Sequence, residues 1–458
     1  REKIDAEMGA LLFGLGRAQI ALLDMDGALA NFGQAFDYYE DADDVERAVE
    51  IAAYPLPTAF ALFPGATDLA ERALKLVSPD SHEAGRILSN YIGLVGLQKG
   101  DYNATSRALE QAISIARREN DQALEFKSLA AASITALYHH NYVDRGNEVL
   151  RICDRAIDLS GSVDDLGSEA MARYCRSVML AQLGEPDSAE EAALLALQAA
   201  DKLRDRSLIS RTNFAIATVA FFRGDWETAR EYTDKGIFYA PRDLRSLFIR
   251  SLLEYETGNA KEGDQFLDRA IEATLSSPRG PSLEYSIAAG MVGFASLISG
   301  HESRHEFAEE AADLVLSAQT ATPFVTMFAH IAFTSMAIAR GDIPTIAKMY
   351  DHFLPLKRRH PFIVSGDRML GMTALAMGDS GLAEGHFQDA ISFSRDAGYR
   401  PQEGWSMHDY AALLIERNEP GDSEKATELQ DGAITIATEL GMEPLLERVL
   451  AQREVLKA

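Results

Sequence analysis

The chain has 458 residues, well past the roughly 250–300 at which one hydrophobic core stops growing, so it is either several domains or a repeat array. With 47% hydrophobic and 25% charged residues it has the composition of an ordinary folded protein, which excludes a disordered one. Lys plus Arg total 44 against 70 Asp plus Glu, and the formal charge of −26 repels phosphate backbones and anionic membranes, so neither nucleic acid nor a membrane is expected as a partner.

No apolar stretch reaches the roughly 18 residues of a spanning helix. Residues 328–339 come nearest, yet they carry His330, Thr334 and Ser335 and read as a buried helix. The two cysteines, Cys153 and Cys175, lack metal-type spacing, which fits a reducing, cytoplasmic setting without a disulfide framework. The sequence opens at Arg1 on an amphipathic segment with no signal-peptide layout, and the expectation is a fragment of something longer.

In chain order, the first helical hairpin is predicted near 4–42, where Ala28, Phe32 and Ala35 give a small, bulky, small pattern that lets two helices cross closely. Gly14 and Gly16 form a G-x-G there, but it neither follows a strand nor opens a helix, so a packing role for Gly16 is preferred to a dinucleotide site. The second hairpin, 44–79, is expected to be irregular because Pro55, Pro57 and Pro64 remove helical donors. Further hairpins follow near 84–119, 123–160, 167–204, 207–241, 243–277, 282–319, 324–357, 362–398 and 402–440, with a terminal helix at 442–456. Ala189, Ala193 and Ala196, then Ala229, Thr233 and Gly236, and later Ala383, Phe387 and Ala390 repeat the crossing pattern. Pro241 closes one of these units.

A turn phrase marks many of the hairpins: Gly100-Asp101-Tyr102, Gly224-Asp225-Trp226, Gly258-Asn259-Ala260, Gly341-Asp342-Ile343 and Gly378-Asp379-Ser380. From Gly224 to Gly258 the step is 34 residues, which resembles the tetratricopeptide period. Other steps run nearer forty. Those longer repeats, with the phrase from Leu440 to Leu450 and the run from Ala112 to Arg118, resemble the sensor arrays of bacterial signal-transduction ATPases and LuxR-type regulators of the maltose-regulon-activator kind. The resemblance implies an all-α fold, a right-handed α-solenoid of about 11 tetratricopeptide-like hairpins plus the C-terminal helix, continuous over 1–458. It also implies a non-enzymatic sensor or interaction module acting on an upstream nucleotide-switch domain. A stand-alone scaffold for protein complexes is the alternative.

Enzymatic signatures are few. His301-Glu302-Ser303-Arg304-His305 matches the zinc pair H-E-x-x-H, the basis of a remote zinc-hydrolase reading, but it follows Gly300 directly and reads as a solvated loop and first helical turn. No phosphate-binding loop or nucleophile elbow occurs, so no catalytic residue, cofactor or metal is expected. His139-His140 reads as a hairpin turn. The run Lys357-Arg358-Arg359-His360 reads as a solvated helix end or a dock for an acidic segment.

In tetratricopeptide arrays the first helix of each hairpin lines the concave face. That register places Asn90, Tyr91, Lys127, Tyr174, Arg211, Phe214, Arg245, Phe248 and Tyr255 on the inner wall, where aromatics and arginines would engage a protein, a peptide or a small anionic ligand. The competing reading is that these aromatics pack between helices.

Overall fold

A computed structural model describes residues 6–22, 24–56, 65–139, 145–300, 302–361 and 363–457. Its elements are helices, and no strand occurs among the described residues. The hairpins run α1 (Ala6–Ala21) with α2 (Met25–Asp41), α3 (Val45–Ala52) with α4 (Ala66–Leu76), α5 (His82–Gln98) with α6 (Tyr102–Arg118) and α7 (Gln122–Tyr138) with α8 (Arg145–Ser160). Next come α9 (Leu166–Gln182) with α10 (Pro186–Leu203), α11 (Arg206–Arg223) with α12 (Trp226–Tyr239), α13 (Leu244–Glu256) with α14 (Ala260–Leu275) and α15 (Leu283–Ser299) with α16 (His305–Leu316). The last are α17 (Pro323–Arg340) with the short α18 (Ile343–Ala347) and α19 (Tyr350–Phe353), α20 (Gly366–Ala376) with α21 (Ser380–Asp396), α22 (Arg400–Arg417) with α23 (Asp422–Leu440), and the terminal α24 (Glu443–Lys457). No described helix is long and apolar enough to cross a membrane.

The turn phrase works by ending one helix and capping the next. Gly224 and Gly378 lie at φ +80° and +81°, a left-handed conformation that glycine adopts without steric cost. The following aspartate accepts from a backbone N–H three residues on: Asp101 from Ala104 at 2.8 Å, Asp225 from Thr228 at 3.2 Å and Asp379 from Leu382 at 2.9 Å. Within each hairpin the small residues meet bulky ones. A Cβ on Gly16 would come within 2.6 Å of the Phe32 ring, and one on Gly371 within 2.6 Å of the Phe387 ring.

Two hairpins depart from the pattern. In the second, α3 is only 8 residues long and the chain leaves helix at Ala53; Pro57 and Pro64 lie outside the described residues. The hairpin expected at 324–357 keeps its first helix but breaks its second into α18, α19 and a 3₁₀ turn at Leu354–Leu356; Pro344 sits in the first turn of α18, where proline is tolerated, and Pro355 removes a helical donor just after α19.

The later hairpins fold back onto the earlier ones. Tyr399 donates its hydroxyl to Ala181 O at 2.6 Å, Trp226 donates its indole N–H to Leu440 O at 2.7 Å, and the His360 N–H reaches Gln182 O at 2.9 Å. One apolar core therefore runs from Ile134 to Val449, whereas the first hairpins keep smaller cores of their own around Phe32 and Ala112. The superhelix buries its own inner face: Leu208 to Phe222 of α11, and all of α13, are buried. The basic run lies on this seam. Arg359 and His360 are buried, His360 with its ring 4.2 Å from Phe222 and 5.0 Å from Tyr399, which corrects the reading of a solvated helix end for those two residues.

Candidate functional site

Six of the nine residues placed on the inner wall lie in the interior: Tyr174, Arg211, Phe214, Arg245, Phe248 and Tyr255 are each less than 5% exposed. The register was transferred from open arrays, and here the inner helices are covered by their neighbours and by the second turn. Phe248 packs against Phe294 and Phe328, and the Tyr255 hydroxyl donates to Asp264 at 2.7 Å, an aspartate that Arg304 also holds. Phe214 lines the wall between α9 and α11 beside Val178 and Phe222.

Tyr174, Arg211 and Arg245 do come together, around Asp243. Arg245 donates to both Asp243 oxygens, at 3.0 and 2.7 Å, and Ser210 donates to one of them at 2.8 Å. Although burial favours the neutral acid, this paired guanidinium keeps the Asp243 carboxyl below its ordinary range. Burial and the like charge of Arg245 also lower the pKa of Arg211, which disfavours its charged form.

Three of the nine line or brace a single large cavity of about 890 Å³. It is walled by the inner helices α5, α7, α9 and α11, by the end of α1, and by Tyr54, Pro55 and Leu56 from the irregular hairpin. Asn90 braces it: its side-chain amide donates to Ala52 O at 3.0 Å and Tyr54 O at 3.1 Å, satisfying carbonyls that the early end of α3 leaves without helical partners. Arg211 reaches the wall with one N–H toward Met171 Sδ at 3.6 Å. Lys127 projects into the cavity without an ion pair among the described residues, and burial lowers its pKa, with Asp165 opposing that shift.

The acidic residues of the wall are partly committed elsewhere. Asp165 accepts from the Ser168 N–H at 3.0 Å and Asp205 from the Leu208 N–H at 3.0 Å, so both carboxylates cap helix N-termini. The cation Lys127 shares the wall with the carboxylates of Asp164, Asp165 and Asp205 and with the guanidinium groups of Arg17, Arg204, Arg206 and Arg211, so the cations outnumber the anions there. Tyr91, the remaining predicted residue, points elsewhere; its hydroxyl donates to Glu71 at 3.2 Å, beside Lys99 on the same carboxylate.

Sequence reasoning missed Arg17, Tyr54, Met171 and Arg206 as wall residues. Arg17 sits over the rings of Phe13 and Tyr54, at 5.8 and 5.6 Å from their centroids. The proline-rich Tyr54 segment was legible as an interruption, but its position over the cavity depends on the fold.

His305, half of the zinc-like pair, is buried at the start of α16, where its Nε2 is bonded to the Ser296 hydroxyl; His301 lies outside the described residues. That corrects the expectation of a solvated first turn. His139 is likewise buried, with its Nε2 at 2.9 Å from Gly96 O, while His140 lies outside the described residues.

No family model matches this chain, and no curated protein does. Among solved structures it is similar to the APC/C hetero-tetramer Cut9-Hcn1, at 14% identity and a TM-score of 0.57, over 97% of this chain and 76% of that one. It is also similar to yeast Tom70, at 12% identity and a TM-score of 0.34, over 93% of this chain and 99% of that one. The likeness to the first supports the fold, an all-α solenoid of tetratricopeptide-like hairpins.

Proposed function

We propose that this chain is a non-enzymatic protein-interaction scaffold, and that its cavity takes a segment of a partner carrying a carboxylate or phosphate group opposite Lys127. The observation that carries the proposal is a partly buried lysine without an ion pair among the described residues, in a space of about 890 Å³, a volume within the roughly 300–1,000 Å³ of ligand sites. A desolvated ammonium gains more from an incoming anion than an exposed one does, because the local dielectric is lower. Arg17 and Arg206 on the wall would add further donors, whose planar forks suit two oxygens at once. The net charge of −26 opposes a strongly acidic partner, so one or two anionic groups in an otherwise neutral segment fit better than an acidic run.

The narrower reading is the sensor array of a bacterial regulator that passes ligand occupancy to an upstream nucleotide switch. It rests on the sequence phrases around Ala112 and Leu440. A stand-alone scaffold accounts for the same fold. A peptide library varied only in the presence of one acidic or phosphorylated residue, scored on the wild type and on Lys127→Met, tests the cavity. Enrichment of the anionic peptides on the wild type alone supports it; equal enrichment on both proteins, or none, refutes it.

A further inference from the structure

Between the start of α20 and the middle of α21, far along the chain from the cavity, Asp367, His386 and Asp389 bring three metal-ligand atoms within 4.8 Å of one another. His386 and Asp389 are three residues apart on one helix and so share a face. Asp367 comes from the start of the preceding helix. We propose that these three side chains form a binding site for a divalent transition-metal ion of the zinc class.

Two atoms at the centre lack hydrogen-bond partners among the described residues although both residues are more than nine-tenths buried: Asp367 Oδ1 and His386 Nδ1. They face each other at 3.6 Å, too far for a hydrogen bond and close to the roughly 3.4 Å between ligand atoms of a tetrahedral ion with bonds near 2.1 Å. Their outward atoms are already held. The Arg358 N–H donates to Asp367 Oδ2 at 2.7 Å, and His386 Nε2 lies 3.0 Å from the Tyr350 hydroxyl. With the ring proton on Nε2 donated to the Tyr350 hydroxyl, the ring is held so that the Nδ1 lone pair faces the metal position, as a hydrogen bond on the far nitrogen orients ligating histidines.

Asp389 is half-exposed and closes the outer side, with Lys357 Nζ 3.5 Å from its Oδ2. Lys357 thus pairs with one of the three side chains, and an incoming metal competes with it for Asp389. Burial raises the Asp367 carboxyl to about 6 and lowers the His386 imidazole. A bound cation would favour the carboxylate and use the unprotonated ring nitrogen.

The test is a zinc titration of the chelator-treated, tag-free full chain against a competing chromophoric chelator. One equivalent is expected to bind, with Asp389→Asn and His386→Ala each weakening affinity at least tenfold. Lys357→Gln should tighten it severalfold. Cobalt substitution should give d–d absorption bands that disappear in His386→Ala. Asp389→Asn changes a half-exposed side chain, so it reports on the site even where His386→Ala fails to fold. No stoichiometric binding, or binding unchanged by Asp389→Asn, would overturn the site and leave Asp367 and His386 as a buried acid and base facing each other.

Discussion

Trp405 donates its indole N–H to both carboxylate oxygens of Glu256, at 3.1 and 2.9 Å, joining α22 to α13 across 149 residues of chain. Both residues are buried, and the guanidinium groups of Arg368 and Arg448 lie 5.3 and 5.4 Å from the Trp405 ring. The contact ties a late hairpin to one in the middle of the chain and places an ionisable group within the seam. Burial raises the Glu256 carboxyl from 4.5 to about 7, against the Trp405 hydrogen bond and the two arginines. Between those values the folded chain holds a proton that the unfolded chain has released, so stability falls as pH rises from about 4.5 to about 7.

Glu256→Gln keeps an acceptor for Trp405 and removes the ionisation. It should raise stability at pH 8 by roughly 1–3 kcal/mol and change little at pH 5. Urea midpoints at the two pH values check this. A loss at both would mean that Arg368 and Arg448 stabilise the charged carboxylate.

The glycines of the turn phrase separate conformational strain from contact between superhelical turns. Gly224 and Gly378 share nearly the same φ, +80° and +81°, but a Cβ on Gly224 would lie 2.8 Å from Leu440, whereas nothing approaches Gly378 within 4 Å. Alanine at Gly378 should cost roughly 1–2 kcal/mol from the left-handed backbone alone. Gly224→Ala should cost more, by whatever Leu440 cannot yield. Gly100→Ala should be the most damaging, since its Cβ would meet the backbone carbonyl oxygen of Thr320 at 2.7 Å. Chemical denaturation of the three variants gives the order directly, and equal losses would mean that the seam opens without cost.

The hairpins were legible because their signals are local: a helix-ending glycine, a capping aspartate three residues before the N–H that it accepts from, and small residues at crossing points. The inner wall was less legible. Whether Arg245 or Phe248 meets solvent depends on how the neighbouring hairpins close over α13: Arg245 is held by Asp243, and Phe248 packs on Phe294 and Phe328. Asn90 and Lys127 could be placed on inner helices from the repeat register. That Asn90 braces the Tyr54 segment, and that Lys127 lacks an ion pair among the described residues, depends on distances no periodicity encodes. The Asp367, His386 and Asp389 cluster was equally hidden, since only His386 and Asp389 are neighbours on one helix.

The Ser296 hydroxyl occupies Nε2 of the buried His305. A metal at the zinc-like pair would have to use Nδ1 instead or break that bond. His305→Gln should therefore leave the zinc stoichiometry of the full chain unchanged, while lowering stability by about 1 kcal/mol or more through loss of the buried hydrogen bond. Zinc binding that disappears in this variant, with the melting temperature unaltered, would restore the pair as a metal site.

Lys127 offers the most direct separation of function from stability. Burial lowers its pKa, the neighbouring Arg86 adds to that shift, and Asp165 only partly opposes it, so keeping the ammonium charged in the folded chain is unfavourable. For a lysine with a lowered folded-state pKa, stability rises with pH as it titrates and reaches its full value above its unfolded pKa, near 10.5. At pH 7 the penalty is present. Lys127→Met keeps the length of the apolar stem and removes the charge, so it should raise the melting temperature at pH 7, by the equivalent of roughly 0.5–1.5 kcal/mol. The same change should weaken binding of an anionic peptide at least tenfold, because the incoming charge then loses its counterpart in a low-dielectric space. Thermal unfolding and fluorescence polarisation on the same preparation read both effects. A melting temperature that rises while binding falls identifies a residue retained for recognition at a cost in stability; a fall in both would mean that Lys127 is a structural contact and that the cavity does not use it.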